Sequence, residues 1–318
     1  MVMCSFLSFS PNLAVRLRAA QCNYVVTGAN GWLGSATLAM LRQALGDAFD
    51  ARVTALGSRH VHPVQALLQW QPPQGQALIV FHYAFLTKDK VNGISTSEYI
   101  ERNAAISSKV RGWIDAGQVR GVVLPSSGAV YDHLLHKNRD PAAVLYGRLK
   151  YQDELDFTNT CAAYDTSVVI PRVFNLSGPY INKFDSYALA SFIQQVLLGK
   201  PIAIQAQKPV IRSYYFIGDL IELCVQLLLN KVTPGTVCFD TAGGEIVELG
   251  ELAQRVSSVL VEYKPQAVVR LPIQDDAVAD RYVGNREQIS ALEKSLCMQL
   301  RSLDQQITLT ARYMQSLL

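Results

Sequence analysis

The chain has 318 residues, 49% of them hydrophobic and 17% charged, and a formal net charge of +3. That length supports one large or two modest domains with a buried core, and that composition excludes a largely disordered chain. The small net charge offers no basic face for nucleic acid, and no apolar run approaches the ~20 residues of a membrane span. Six cysteines (Cys4, Cys22, Cys161, Cys224, Cys238 and Cys297) are scattered without a C-x-x-C pair. They read as reduced thiols of a cytoplasmic protein, not as a disulfide framework or a zinc site.

In chain order, residues 1–22 come first. The apolar part precedes Arg16 and Arg18, the reverse of a secretory signal, so the segment reads as a poorly ordered N-terminal extension or the result of an upstream start codon, with a weak surface helix over Leu13 to Ala20. Asn23 to Thr27 is a short buried strand that runs into Gly28-Ala29-Asn30-Gly31-Trp32-Leu33-Gly34, and an amphipathic helix follows with Leu33, Leu38, Leu41 and Leu45 near one face. Strand, glycine turn and helix form the context of a phosphate-binding loop: the helix N-terminus offers unpaired N–H groups and the glycines let the backbone approach. The next strand, Arg52 to Leu56, ends in Gly57-Ser58-Arg59 with no Asp or Glu. An acid at that end usually holds the ribose 2′-hydroxyl of NAD. Ser58 and Arg59 instead suit a 2′-phosphate, a solvated loop charge being the plainer reading of Arg59.

A third strand, Ala77 to Phe81, ends in His82-Tyr83-Ala84. A long helix from about Ser97 to Gly117 contains Asn103, and the strand Gly121 to Pro125 ends in Ser126-Ser127. A further helix carries Tyr146-Gly147-Arg148-Leu149-Lys150. A tyrosine four residues before a lysine puts both side chains on one helix face. An ammonium beside a phenol stabilises the phenolate, so the pair can move a proton at a carbonyl or hydroxyl carbon. The strand Ser167 to Pro171 completes an alternation that predicts a doubly wound parallel sheet. Helices are then expected over Ser186 to Leu198, Asp219 to Leu229 and Glu248 to Tyr263, with a turn at Asp240 to Gly244. His60, His62, His133 and His136 fall in expected loops, where solvated histidines are a plainer reading than a metal site.

From Asn23 onward the sequence resembles the extended short-chain dehydrogenase/reductase family, the nucleotide-sugar epimerases, dehydratases and reductases. The resemblance rests on the glycine loop, His82-Tyr83-Ala84, Asn103, Ser126-Ser127 before Val130-Tyr131, Tyr146-x-x-x-Lys150, Arg172-Val173-Phe174-Asn175 before Gly178-Pro179, and Arg212-Ser213-Tyr214 before Asp219. It implies a Rossmann-type doubly wound parallel sheet with a smaller C-terminal substrate-binding region. The corresponding segments are residues 23–175 for the dinucleotide and residues 176–318 mainly for the substrate, with parts returning to the sheet and a cleft between.

The resemblance makes Tyr146 the acid/base, Lys150 its activator and the anchor of the nicotinamide ribose, and Ser127 the hydrogen-bonding partner of the reacting sugar oxygen. Cofactor contacts fall at Gly28, Asn30, Gly31, Trp32, Leu33, Gly34, His82, Ala84, Asn103, Tyr146 and Lys150, beside Ser58 and Arg59. Asn175 and Arg212 would meet a substrate diphosphate, and Arg281 substitutes for an arginine usually found before the last strand's Tyr-Val. Gly128-Ala129 stands where dehydratases of the family carry Asp-Glu, which argues against dehydration. The expected activity is 4-keto reduction or 4-epimerisation of a nucleotide-activated sugar, with NADP(H) favoured over NAD(H), no metal, and a homodimer. The alternatives are a nucleotide-sugar dehydratase and a non-catalytic NAD(P)-binding regulator on the same fold.

Overall fold

The computed structural model describes residues 6–135, 140–230, 235–263 and 266–318; Cys4 and His136 lie outside them. In chain order the elements are α1 (Pro11–Ala19), β1 (Asn23–Thr27), α2 (Trp32–Leu45), a one-turn α3 (Phe49–Arg52), β2 (Val53–Gly57), β3 (Gln65–Ala66), β4 (Leu78–His82), α4 (Thr96–Asp115), β5 (Val119–Val123), β6 (Ser126–Ser127), α5 (Val130–Leu134), α6 (Pro141–Ala163) and β7 (Ser167–Val173). They continue as β8 (Leu176–Ser177), α7 (Ala188–Leu197), β9 (Ile202–Ile204), β10 (Val210–Ser213), β11 (Tyr215–Phe216), α8 (Ile217–Leu229), β12 (Thr236–Asp240), β13 (Ile246–Glu248), α9 (Leu249–Val259), β14 (Val268–Arg270), β15 (Asp280–Tyr282), α10 (Glu287–Ser295) and α11 (Leu303–Gln315). They form two compact units. One holds Ser8–Val173 and Ile221–Phe239; the other holds Phe174–Leu220 and Asp240–Leu318, with the described residues before Ser8.

The first unit is a Rossmann-type sheet of order β12-β7-β5-β4-β1-β2-β3, with β6 beside β7. β1 runs parallel to both neighbours, pairing Thr27 with Leu56 on one side and with His82 on the other. The strand order reverses between β1 and β4, the switch point where open parallel sheets take their ligands. The strands are short β-branched runs because both sheet faces are covered; all five residues of β4 are buried. The core joins Val25, Leu56, Val80, Val122, Phe157 and Val168.

The N-terminal segment departs from expectation. It is packed, not a loose extension: α1 lies on α2 and buries Leu13 and Leu17. The Tyr24 hydroxyl donates to Leu17 O at 3.0 Å. Arg18 donates to Ala44 O, and Arg52 donates to Arg18 O, Ala20 O and Cys22 O. Arg52 thus satisfies backbone carbonyls at the end of α1, a long-range pairing with no local signature. In α2 the buried face is also different: Ala36, Thr37, Met40, Leu41, Ala44 and Leu45 turn inward, while Leu33 and Leu38 are half-buried. His133 lies in α5, not in a loop.

The second unit carries a three-stranded sheet of order β13-β10-β15, with β8 paired to β11 and β9 to β14. Helices α7, α9 and α11 pack together. Ser302 and Gln305 form a capping box at the start of α11, which satisfies two first-turn donors reciprocally. No helix among the described residues is long and apolar enough to cross a membrane.

Candidate active site

At the carboxyl end of β1 the chain turns through Gly28, whose φ is +64°. An added Cβ there would lie 2.8 Å from Ala84 N, and one on Gly34 would lie 2.3 Å from Gly28 O. Only glycine permits both approaches. Gly31 is the N-cap of α2, exposed and without a side-chain cap, and Asn30 beside it is exposed. An uncapped helix start reached through a tight glycine turn is a fit for a pyrophosphate. Trp32 and Leu33, half-buried, begin that helix. Ser58 and Arg59 follow β2 and are exposed.

The sequence GRLK places Tyr146 and Lys150 one turn apart on α6, which has Pro141 in its first turn and an Asp140 N-cap whose side chain accepts from Ala142 N at 3.0 Å. Lys150 is buried, donates to Pro125 O at 2.9 Å and lies 3.9 Å from the centre of the Phe85 ring. Phe85 also packs edge-on against Tyr146, with ring centres 5.9 Å apart. Burial draws the Lys150 ammonium down to about 8, against the pull of Asp153 and Glu154, which raise it. The positive charge a phenolate needs is therefore held dry, beneath an aromatic ring. Ser127 is buried at the carboxyl edge of the sheet, where Ala129 N donates to its Oγ at 3.2 Å. A Cβ on Gly147 would lie 2.0 Å from Ala129 O, so the backbone after Ser127 and the helix of Tyr146 touch because position 147 has no side chain.

Three supports hold these groups through contacts that no sequence pattern signals. Arg172 of β7 forks onto Glu154 of α6, Nε to Oε1 at 2.9 Å and Nη2 to Oε2 at 2.7 Å, and donates to the Tyr131 hydroxyl at 3.0 Å. It thereby ties together β7, the helix of Lys150 and the segment after Ser127. The four-residue spacing of Lys150 and Glu154 is the one readable trace. His82 is buried, with Nδ1 2.9 Å from Thr27 Oγ1, which also accepts from Ala84 N at 3.0 Å; burial pushes the imidazole down to about 3, with the Lys150 charge adding to it. His82 thus braces the glycine turn from within, and Ala84 is the backbone that Gly28 approaches. Asn103 is buried, accepts from Leu86 N at 2.7 Å and donates to Tyr99 O at 3.1 Å, anchoring the segment that carries Phe85.

The structure brings Gly28, Asn30, Gly31, Trp32, Leu33, Gly34, Ser58, Arg59, His82, Ala84, Asn103, Ser127, Tyr146 and Lys150 into the first unit. Asn175, Arg212 and Arg281 belong to the second. There Asn175 donates to Tyr282 O at 3.1 Å and Ser213 O at 3.3 Å. Arg212 pairs with Asp280, not with Asp219, which could have been its structural partner: Nη1 reaches Asp280 O at 2.8 Å and Oδ1 at 3.3 Å. Asp219 is held by Arg301 instead. Arg281 is exposed and adjoins Asp280 and Tyr282 on β15, so it projects from the opposite face of the strand and does not join Arg212.

A family profile described as NAD dependent epimerase/dehydratase family matches residues 24–238, about two thirds of the chain. The chain belongs to the NAD dependent epimerase/dehydratase family. It is 26% identical over 154 residues to UDP-glucuronic acid decarboxylase 3 of Arabidopsis thaliana, a match over 45% of this chain and 45% of that protein. The chain thus spans about half the length of the curated relatives it matches. Among solved structures it is similar to the UDP-N-acetylglucosamine 4-epimerase of Methanobrevibacter ruminantium M1 in complex with UDP-N-acetylmuramic acid (TM-score 0.70, 18% identity, 94% of this chain and 99% of that one). It is also similar to the UDP-glucose 4-epimerase of Thermus thermophilus in complex with NAD (TM-score 0.62, 19% identity, 92% and 98%). At those identities the likeness establishes a shared epimerase-type fold.

Proposed function

We propose that this family member is an NAD(P)-dependent enzyme acting at C4 of a nucleotide-activated sugar, by 4-keto reduction or 4-epimerisation. The observation that carries the reading is the buried Lys150 ammonium, fixed by Pro125 O and the Phe85 ring one helical turn from Tyr146. In this reading Tyr146 takes or gives the proton at the sugar's C4 oxygen, Lys150 stabilises the phenolate, and Ser127 Oγ hydrogen-bonds the same oxygen. The nicotinamide, when bound, supplies hydride exchange at the carbon. The glycine turn at Gly28 and the uncapped start of α2 would hold its pyrophosphate. Gly128 and Ala129 offer no second acid or base, which favours these outcomes over dehydration. A regulator on the same fold would have no need of a tyrosine paired with a buried lysine.

Tyr146→Phe removes the proton donor and keeps the ring. Turnover of the accepted sugar nucleotide should fall ~10²–10⁴-fold, with cofactor affinity unchanged. Near-full turnover by that variant would end the mechanism. UDP-glucuronic acid belongs in the substrate panel, because the curated relatives are named as its decarboxylases; release of CO₂ would move the reading to that activity.

For the substrate, Arg212 supports a diphosphate. All its hydrogen bonds among the described residues leave from Nη1, so Nη2 and Nε can fork onto an anion. For the cofactor, the exposed Ser58-Arg59 pair and the missing acid after β2 support NADP(H). A phosphate–guanidinium pair is worth about 1.5–3 kcal/mol, so tenfold or more in affinity. Titration of both cofactors should show that preference and Arg59→Ala should reduce it; equal affinities or a preference for NADH would overturn the choice.

A further inference from the structure

Phe85 lies between β4 and α4, outside the glycine turn and off the helix of the reacting groups, yet its ring meets both members of the Tyr146–Lys150 pair. Lys150 Nζ stands over the ring face, 3.9 Å from its centre. The Tyr146 ring packs at 75° to it, with centres 5.9 Å apart. The backbone beside Phe85 is pinned through both of its polar groups. Leu86 N donates to Asn103 Oδ1 at 2.7 Å, and Leu86 O accepts from the Tyr99 hydroxyl at 2.5 Å. Both partners are buried residues of α4. Two residues on, Lys88 meets Asp140, the N-cap of α6, at 2.7 Å. The ring is thus carried by an anchored segment to the helix that bears the pair.

Burial favours the neutral form of Lys150, whereas the negative face of an aromatic ring favours the cation. Pro125 O takes one N–H of the ammonium at 2.9 Å, and the Phe85 face meets it from the segment after β4. The titratable groups around Lys150 are Tyr146, Asp153 and Glu154 on its own helix and His82 on β4; Glu154 is held in the Arg172 fork. They lie on other elements than the Phe85 segment, so the ring can be altered while they stay. We propose that Phe85 is a positioning residue of the Tyr146–Lys150 pair: its ring face keeps the buried Lys150 ammonium charged, and its packing against Tyr146 fixes the angle of the phenol. Without that face, Lys150 would lose its proton at lower pH and Tyr146 would lose its activator. The role in turnover rests on the proposed function; the hold on the Lys150 charge does not.

The test changes the ring's charge distribution and leaves its shape. Phenylalanine carrying one, two or three ring fluorines, placed at position 85 of the full chain, weakens the negative face step by step while packing and burial stay nearly the same. Lysine labelled with ¹³C at Cε, with its resonance assigned through Lys150→Met, gives the Lys150 titration midpoint. That midpoint should fall with each added fluorine, by about one pH unit for the trifluorinated ring, and Phe85→Tyr, which keeps the face, should stay near the wild type. A midpoint that ignores fluorination overturns the proposal, whatever Phe85→Leu does. With an accepted substrate, the alkaline limb of turnover should move down with the midpoint, and Phe85→Leu should lower kcat with little change in KM. A rise in KM alone, or tighter cofactor binding by Phe85→Leu, would make the ring a substrate contact or an obstacle and would also overturn it. If the midpoints shift but the wild type turns over no sugar nucleotide, the proposed function fails and the hold on Lys150 stands. If turnover is present and the midpoints do not move, the reverse holds.

Discussion

At the scale of single residues, the site depends on charges held away from water by specific partners. Arg172 shows this beyond the reacting groups. Its fork onto Glu154 is largely buried, with side chains 19% and 6% exposed. Glu154→Gln would leave the guanidinium short of its counter-charge beside Tyr131. Breaking one partner of such a pair costs about 3 kcal/mol. The expected outcome is a lower urea midpoint with an unchanged slope, and with it a weaker hold on the segment after Ser127. A midpoint equal to that of the wild type would mean that the fork is dispensable. Arg172 was legible in the sequence only as part of a motif; its partner, 18 residues earlier on α6, was not.

At the scale of elements, the contact between α6 and the segment after β6 is set by an absence of side chain. Glycine inside a helix ordinarily costs ~1 kcal/mol against alanine. Gly147→Ala would recover that, yet its Cβ would fall 2.0 Å from Ala129 O. Overpacking of this kind costs ~1–3 kcal/mol, and here the obstacle is backbone. We expect Gly147→Ala to melt at lower temperature and to lose turnover, because Tyr146 shifts relative to Ser127. Gly112 on α4 is the internal comparison: an added Cβ meets nothing within 4 Å, so Gly112→Ala should stabilise the protein by ~0.5–1 kcal/mol. Equal melting shifts for the two variants would contradict the close approach. The strands and helices themselves were largely readable, since periodicity and capping residues are local. The packing of α1 was not, because two inward leucines and three backbone-bound arginine contacts leave no period to detect.

At the scale of the whole molecule, the buried His82 makes stability depend on pH. Its imidazole is held down to about 3 in the fold by burial and by Lys150, against about 6.5 in an unfolded chain. Between those values the unfolded state binds a proton that the native state does not. Stability is therefore full above about pH 6.5 and is lost as pH falls toward about 3, at up to ~1.4 kcal/mol per pH unit. Urea unfolding of the wild type at pH 7 and pH 5 should show that loss, and His82→Gln should flatten it. Parallel losses in the two proteins would place the proton-sensitive group elsewhere.

The sequence by itself determined what short-range rules control. The glycine turn needs Gly28 because of its positive φ, the strand–helix alternation predicts a parallel sheet, and four-residue spacing puts Tyr146 and Lys150 on one face. Only the tertiary structure decided how those groups are charged and which partners they have. The carboxylate that Arg212 meets lies 68 residues along the chain, on a strand paired in parallel with its own. Lys150 is drawn toward about 8 by burial beneath a ring from a different loop. Desolvation and long-range ion pairs arise from elements brought together across the fold, so no local pattern encodes them.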